Sequence, residues 1–110
     1  MPSPNTAFIP KLSEAQFQRQ VIDLAKLHGF HLIYHTHNSR RSATGFPDLV
    51  MVSGSRHRVL FRELKTDVGK VAPAQLEWLD ALQLAGINAG VWRPVDLKSG
   101  HIIKDLRGDA

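Results

Sequence analysis

No cysteine occurs among the 110 residues, which excludes disulfides and thiolate metal sites and fits a cytoplasmic setting. No apolar run approaches the roughly 20 residues that cross a bilayer, so no membrane partner is expected. Nor does a charged start followed by an apolar stretch mark a secretory leader. Internal repeats and low-complexity tracts are missing as well, which leaves a solenoid or a disordered chain without support. Acidic residues are the scarcer charge, 10 against 14 basic ones, for a net charge of +4 and a pI near 9.9. That balance favours a polyanionic partner such as nucleic acid, although a modest excess also occurs in proteins that never touch DNA.

What is present is enough for one core. Hydrophobic residues make up 43% of a chain of ordinary single-domain size. Residues 1–11 carry three prolines and no periodicity, and read as a flexible arm ahead of a single domain over 12–110. Ser13 followed by Gln16 forms a capping box, and Phe17, Val21 and Leu24 recur at helical spacing, so a helix is expected from Ser13 to about His28-Gly29. Phe30–Thr36 reads as a strand and "HNSRRSATG" as a loop. "PDLVMV" and "VLFRELK", joined by "SGSRHR", read as a hairpin. Pro73 suits the first turn of a second helix, with Leu76, Leu79, Leu82 and Gly86 facing inward and Trp78 at the edge of the stripe. "INAGVW" should return as a strand parallel to the third, by a right-handed crossover. From Arg93 onward a short helix and a short strand fit equally well. The order α-β-β-β-α-β describes an α/β domain, one mixed sheet flanked by helices.

The apolar stretch "VLFRELKTD" is interrupted by charges that a small core does not accept unpaired. Strand alternation puts Glu63 and Lys65 on one side and Leu64 on the other. A hairpin centred between residues 55 and 56 sets Asp48 opposite Glu63. Two adjacent acids repel unless a cation sits between them. A hard divalent ion, Mg²⁺ with Mn²⁺ able to substitute, suits oxygens from Asp48, Glu63 and the carbonyl of Leu64. Lys65 would then orient or help deprotonate a water and stabilise charge in phosphodiester hydrolysis. The same spacing is equally compatible with a surface ion pair between Lys65 and one of the acids. Glu14 lies at about the helical angle of Val21 and could add a third acid, or could simply favour the positive end of the helix.

The segments "SEAQFQRQVIDLAKLHGF", "GFPDLVMV", "VLFRELKT" and "APAQLEWLDALQLAGINAGVWR", from Ser13 to Arg93, resemble the virus-type replication-repair nuclease (VRR-NUC) family of the PD-(D/E)XK nuclease superfamily. The resemblance implies a restriction-endonuclease-like core. It also implies metal-binding acids at Asp48 and Glu63, a catalytic lysine at Lys65, an acid on the first helix at Glu14 and a site-proximal glutamine at Gln75. Gln75 is also three residues after the expected cap Ala72, where it can serve as a helix cap. Ala72 stands where the family tends to have Ser or Thr, and Arg62 where an apolar residue is usual. The implied activity is a metal-dependent, structure-specific DNA endonuclease that leaves a 5′-phosphate and a 3′-hydroxyl. Single-domain members, many of them phage-encoded, look like Holliday-junction resolvases acting as homodimers. Flap-type or restriction-type cutting, or a non-catalytic nucleic-acid-binding module, is the alternative.

Arg40, Arg41 and Lys70 on flanking loops are candidate phosphate contacts, as are His35 and His37, or else they are ordinary solvated groups. His31, His35 and His37 also have a spacing that a zinc site could use, but no fourth ligand is evident. Arg56, His57 and Arg58 form a second basic cluster at the hairpin turn, best read as solvated. Trp78 and Trp92 read as packing residues.

Overall fold

The computed structural model describes residues 11–36 and 43–108. Helix α1 spans Glu14–Leu27 and opens with the expected box. Ser13 Oγ accepts from the Gln16 amide at 3.1 Å, and the Ser13 amide donates to Gln16 Oε1 at 2.9 Å. Strands β1 (Leu32–His35), β2 (Leu49–Ser53) and β3 (Arg58–Leu64) form an antiparallel meander. Helix α2 (Pro73–Leu84) leads into β4 (Asn88–Trp92), which lies parallel to β3, giving the order β1-β2-β3-β4. This is the expected mixed sheet. The hairpin register pairs Leu49 with Arg62 and Ser53 with Arg58, so Asp48, one residue before β2, falls opposite Glu63 as the pattern requires.

The sequence pattern for β1 reached two residues too far back. Phe30 is fully buried, and the guanidinium carbons of Arg56 and Arg58 lie 5.9 and 5.6 Å from its ring centroid. It serves as a core residue beneath two cations rather than as part of the sheet. The stripe of α2 also differs. Leu79 is buried and Leu82 half-buried, but Leu76 is 46% exposed and Gly86 lies at the surface. Gln75, Leu79 and Leu82 share the sheet-facing side, and Leu76 is turned about 100° from Gln75.

Two helices follow β4, which extends the expected order at its C-terminal end: α3 (Pro94–Lys98) and α4 (His101–Arg107). Ile102 and Leu106 of α4 are fully buried with Phe17, Val21 and Ala25 of α1, Leu49 and Met51 of β2, Leu60 of β3 and Trp92 of β4. Each such side chain contributes roughly 1.5–3 kcal/mol by leaving water, so the C-terminal segment is a wall of the core. The basic hairpin turn holds that wall in place. Arg56 donates to the carbonyls of His28, Leu106 and Arg107, and Arg58 to those of Leu106 and Asp105. These carbonyls lie at the C-terminal ends of α1 and α4, where helical partners run out; that of Asp105 also accepts the Gly108 amide at 3.2 Å. Of the cluster expected to be solvated, Arg56 and Arg58 therefore cap two helices, and His57 alone is exposed.

Arg62 acquires a reason from the same segment. It is 4% exposed, lies 4.7 Å over the Trp92 ring, donates to Asn88 Oδ1 at 2.7 Å and pairs with Asp105 at 3.5 Å. Asp105 also accepts from Trp92 Nε1 at 2.9 Å. A buried guanidinium is tolerable when its donors are engaged and a carboxylate faces it. That partner lies in α4.

Candidate active site

The end of β3 and the approach to β2 are locked together before any side chain reaches solvent. Asp48 Oδ2 accepts the Leu64 amide at 2.8 Å, and the Asp48 carbonyl accepts the Thr36 amide at 2.9 Å. One carboxylate oxygen is thus committed to the neighbouring strand, which fixes the half-buried acid beside Glu63. The preceding residues aim it. Gly45 has φ +83°, and a Cβ there would stand 2.4 Å from the Ala74 carbonyl group, so only glycine lets this loop touch the start of α2. Phe46 packs edge-on to Phe61 and Trp78, Trp78 Nε1 donates to the Thr44 carbonyl, and Pro47 is fully buried.

Glu63 is 3% exposed. Its Oε2 accepts from Gln75 Nε2 at 2.7 Å and faces Lys65 Nζ at 3.6 Å, while its Oε1 is buried with no partner. Burial, and then the charge of Asp48, push its carboxyl up to about 7, against the opposing pull of Lys65. Gln75 resolves the two roles open to it by filling both. Its oxygen accepts the Ala72 amide at 2.8 Å and its nitrogen holds Glu63. Ala72 supplies no side-chain cap in return.

A cavity of about 400 Å³ opens here, lined among others by Glu14, Asp48, Glu63, Leu64 and Lys65. The structure therefore gathers six of the expected residues round one space, these five and His35, with Gln75 behind Glu63. Glu14 is exposed at its rim, and among the described residues no three acids or histidines already stand close enough to grip an ion. Lys70 is exposed and outside the cavity wall. Arg40, Arg41 and His37 lie outside the described residues. His31 is exposed and precedes β1.

Two contributors escaped the sequence reading. Arg93 donates to the Thr66 and Gly69 carbonyls, and Asp67 Oδ1 accepts the Val95 amide at 2.9 Å, so the loop after Lys65 is braced against the start of α3. No local pattern announces such a long-range brace. Gln18 also lines the cavity, and its place four residues after Glu14 was a usable signal.

The VRR-NUC domain model matches residues 7–96. The fold is similar to that of a solved VRR_NUC domain protein, with a TM-score of 0.65 and 26% identity, covering 88% of this chain and 92% of that one. No curated protein matches the chain.

Proposed function

Because the chain belongs to the VRR-NUC domain family, and so carries a nuclease-type domain, we propose that it is a divalent-metal-dependent DNA endonuclease. The observation that carries this reading is the unpartnered Glu63 Oε1, buried beside Asp48 in a cavity that Lys65 also lines. Two adjacent carboxylates, with the charge of Asp48 raising the proton affinity of Glu63, are a fit for Mg²⁺ or Mn²⁺. Asp48, Glu63 and the Leu64 carbonyl would hold the ion, with Glu14 reaching it from α1. Such an ion, when bound, acidifies a water and offsets charge on a phosphate oxygen.

The chain's own groups do the rest. Gln75 occupies one Glu63 oxygen and leaves the other to the cavity. Asp48 is held by the Leu64 amide. Lys65, its side chain 20% exposed, places an ammonium where it orients the attacking water and stabilises the added negative charge on phosphorus. The products would be a 5′-phosphate and a 3′-hydroxyl.

For substrate we propose branched DNA, a four-way junction above all, cut by a homodimer, since one small domain has one such site and symmetric cutting needs two. The exposed Leu32 and Tyr34 on β1, a strand with one neighbour among the described residues, support self-association.

The test is cleavage of a labelled four-way junction and a linear duplex with Mg²⁺ or Mn²⁺. Asp48→Asn and Lys65→Ala should each lose at least about 100-fold in rate, as expected when charge-stabilising or proton-transfer groups are removed. Undiminished cutting by both variants would sink the site. Binding without any cutting would favour a non-catalytic module.

A further inference from the structure

Gln18 stands one helical turn beyond Glu14 and lines the same cavity as Asp48 and Glu63. Its Nε2 is buried and has no acceptor. A second, shallower groove of about 440 Å³ begins on the far side of this side chain. Arg19, Asp23 and Lys26 of α1 border it, and Gln18 and His35 line both spaces. None of Arg19, Asp23 and Lys26 is in an ion pair among the described residues. Two cations against one acid leave the groove positive.

An amide nitrogen donates and cannot ligate a metal, so the group that satisfies Gln18 must be an acceptor. The last torsion of a glutamine is broad, so rotation about it can bring the amide to the cavity while the stem stays packed. From Gln18 to Lys26 the helix rises about 12 Å, the length of about three nucleotide steps at 3.4 Å each. We propose that Gln18 binds a phosphate oxygen next to the bond being cut, and that the Arg19–Lys26 groove carries the flanking strand away from the acids. This rests on the nuclease reading and extends it from the reacting centre to the path of the substrate.

The experiment measures affinity for a short fluorescein-labelled duplex without divalent metal, across a range of salt, alongside melting temperature. Gln18→Leu should weaken binding about tenfold, as loss of a hydrogen bond to a charged group does. It should melt no lower than the wild type, because a buried donor without an acceptor has been removed. In cleavage assays the loss should fall on KM, with kcat close to wild type. The pair Arg19→Glu and Lys26→Glu should flatten the slope of log affinity against log salt by about 2. Unchanged affinity in Gln18→Leu, above all with a lowered melting temperature, would overturn the assignment and leave a packing role. An unchanged salt slope in the charge-reversed pair would overturn the strand path. A wild type that binds DNA but never cuts it would instead overturn the nuclease reading, because these binding measurements need no cleavage.

Discussion

Glu63 couples the acid–base state of the site to the stability of the chain. Its carboxyl stands at about 7, above an ordinary value near 4.5. Between those values the folded protein keeps a proton that the unfolded chain has released, so stability falls as pH rises and the penalty is complete above about 7. The metal-free protein should be less stable near pH 8 than near pH 5.5 by at most about 2 kcal/mol, the part of the shift that lies between pH 5.5 and about 7, and Glu63→Gln should lack that slope. Mg²⁺ should stabilise the wild type more at the higher pH, where the proton no longer competes. Differential scanning fluorimetry across pH checks both. Gln75 offers a second residue-scale prediction. Gln75→Leu frees the Glu63 carboxylate and uncaps α2 together. Melting should fall by about 1–2 kcal/mol, and cleavage should fall by a larger factor than that modest loss explains. Melting and kinetics on one preparation would separate the two effects. That Asp48, Glu63 and Lys65 stand side by side was legible in the sequence, because alternation and hairpin length are local arithmetic. Arg62 was not, since its counter-charge Asp105 lies 43 positions away, and no spacing rule connects the two.

Among the elements, the hairpin was the most legible and its turn the least. The register followed from matching apolar faces, because a one-residue slip would turn every core side chain of β2 outward. Arg56 and Arg58 looked like solvent-facing loop charge because their partners are backbone carbonyls, which leave no mark in a sequence. Burial and the neighbouring Arg56 push the Arg58 guanidinium down from its usual value, and Asp105 partly restores it. Arg58→Ala should cost about 1–3 kcal/mol in urea unfolding, since the Leu106 and Asp105 carbonyls each lose one charged donor. Arg58→Lys should recover only part of that, because an ammonium cannot serve two carbonyls with a planar fork. Helix α2 was placed correctly, but the stripe of leucines misjudged its rotation. The Glu63–Gln75 bond and the Phe46–Trp78 contact turn it so that Leu76 is left outside.

At the scale of the whole molecule, the α/β class and strand order were readable from alternation and crossover handedness. The contribution of residues 94–108 was not, because α3 and α4 are too short for a periodic signal to declare itself. Yet the sheet has a cavity side and a retaining side, back to back on one strand. Glu63 faces the cavity, and its neighbour Arg62 faces Asp105. A chain trimmed to the matched segment ending at residue 96 would keep every proposed catalytic residue and lose Ile102, Leu106 and Asp105. It would leave a buried guanidinium without its carboxylate, a defect worth about 3–5 kcal/mol, on top of an open core. We expect that fragment to express as an insoluble or molten chain, and one ending at Arg107 to fold, as circular dichroism and solubility would show. The smallest chain able to present the proposed site is thus delimited by an electric charge on the opposite side of the sheet from it.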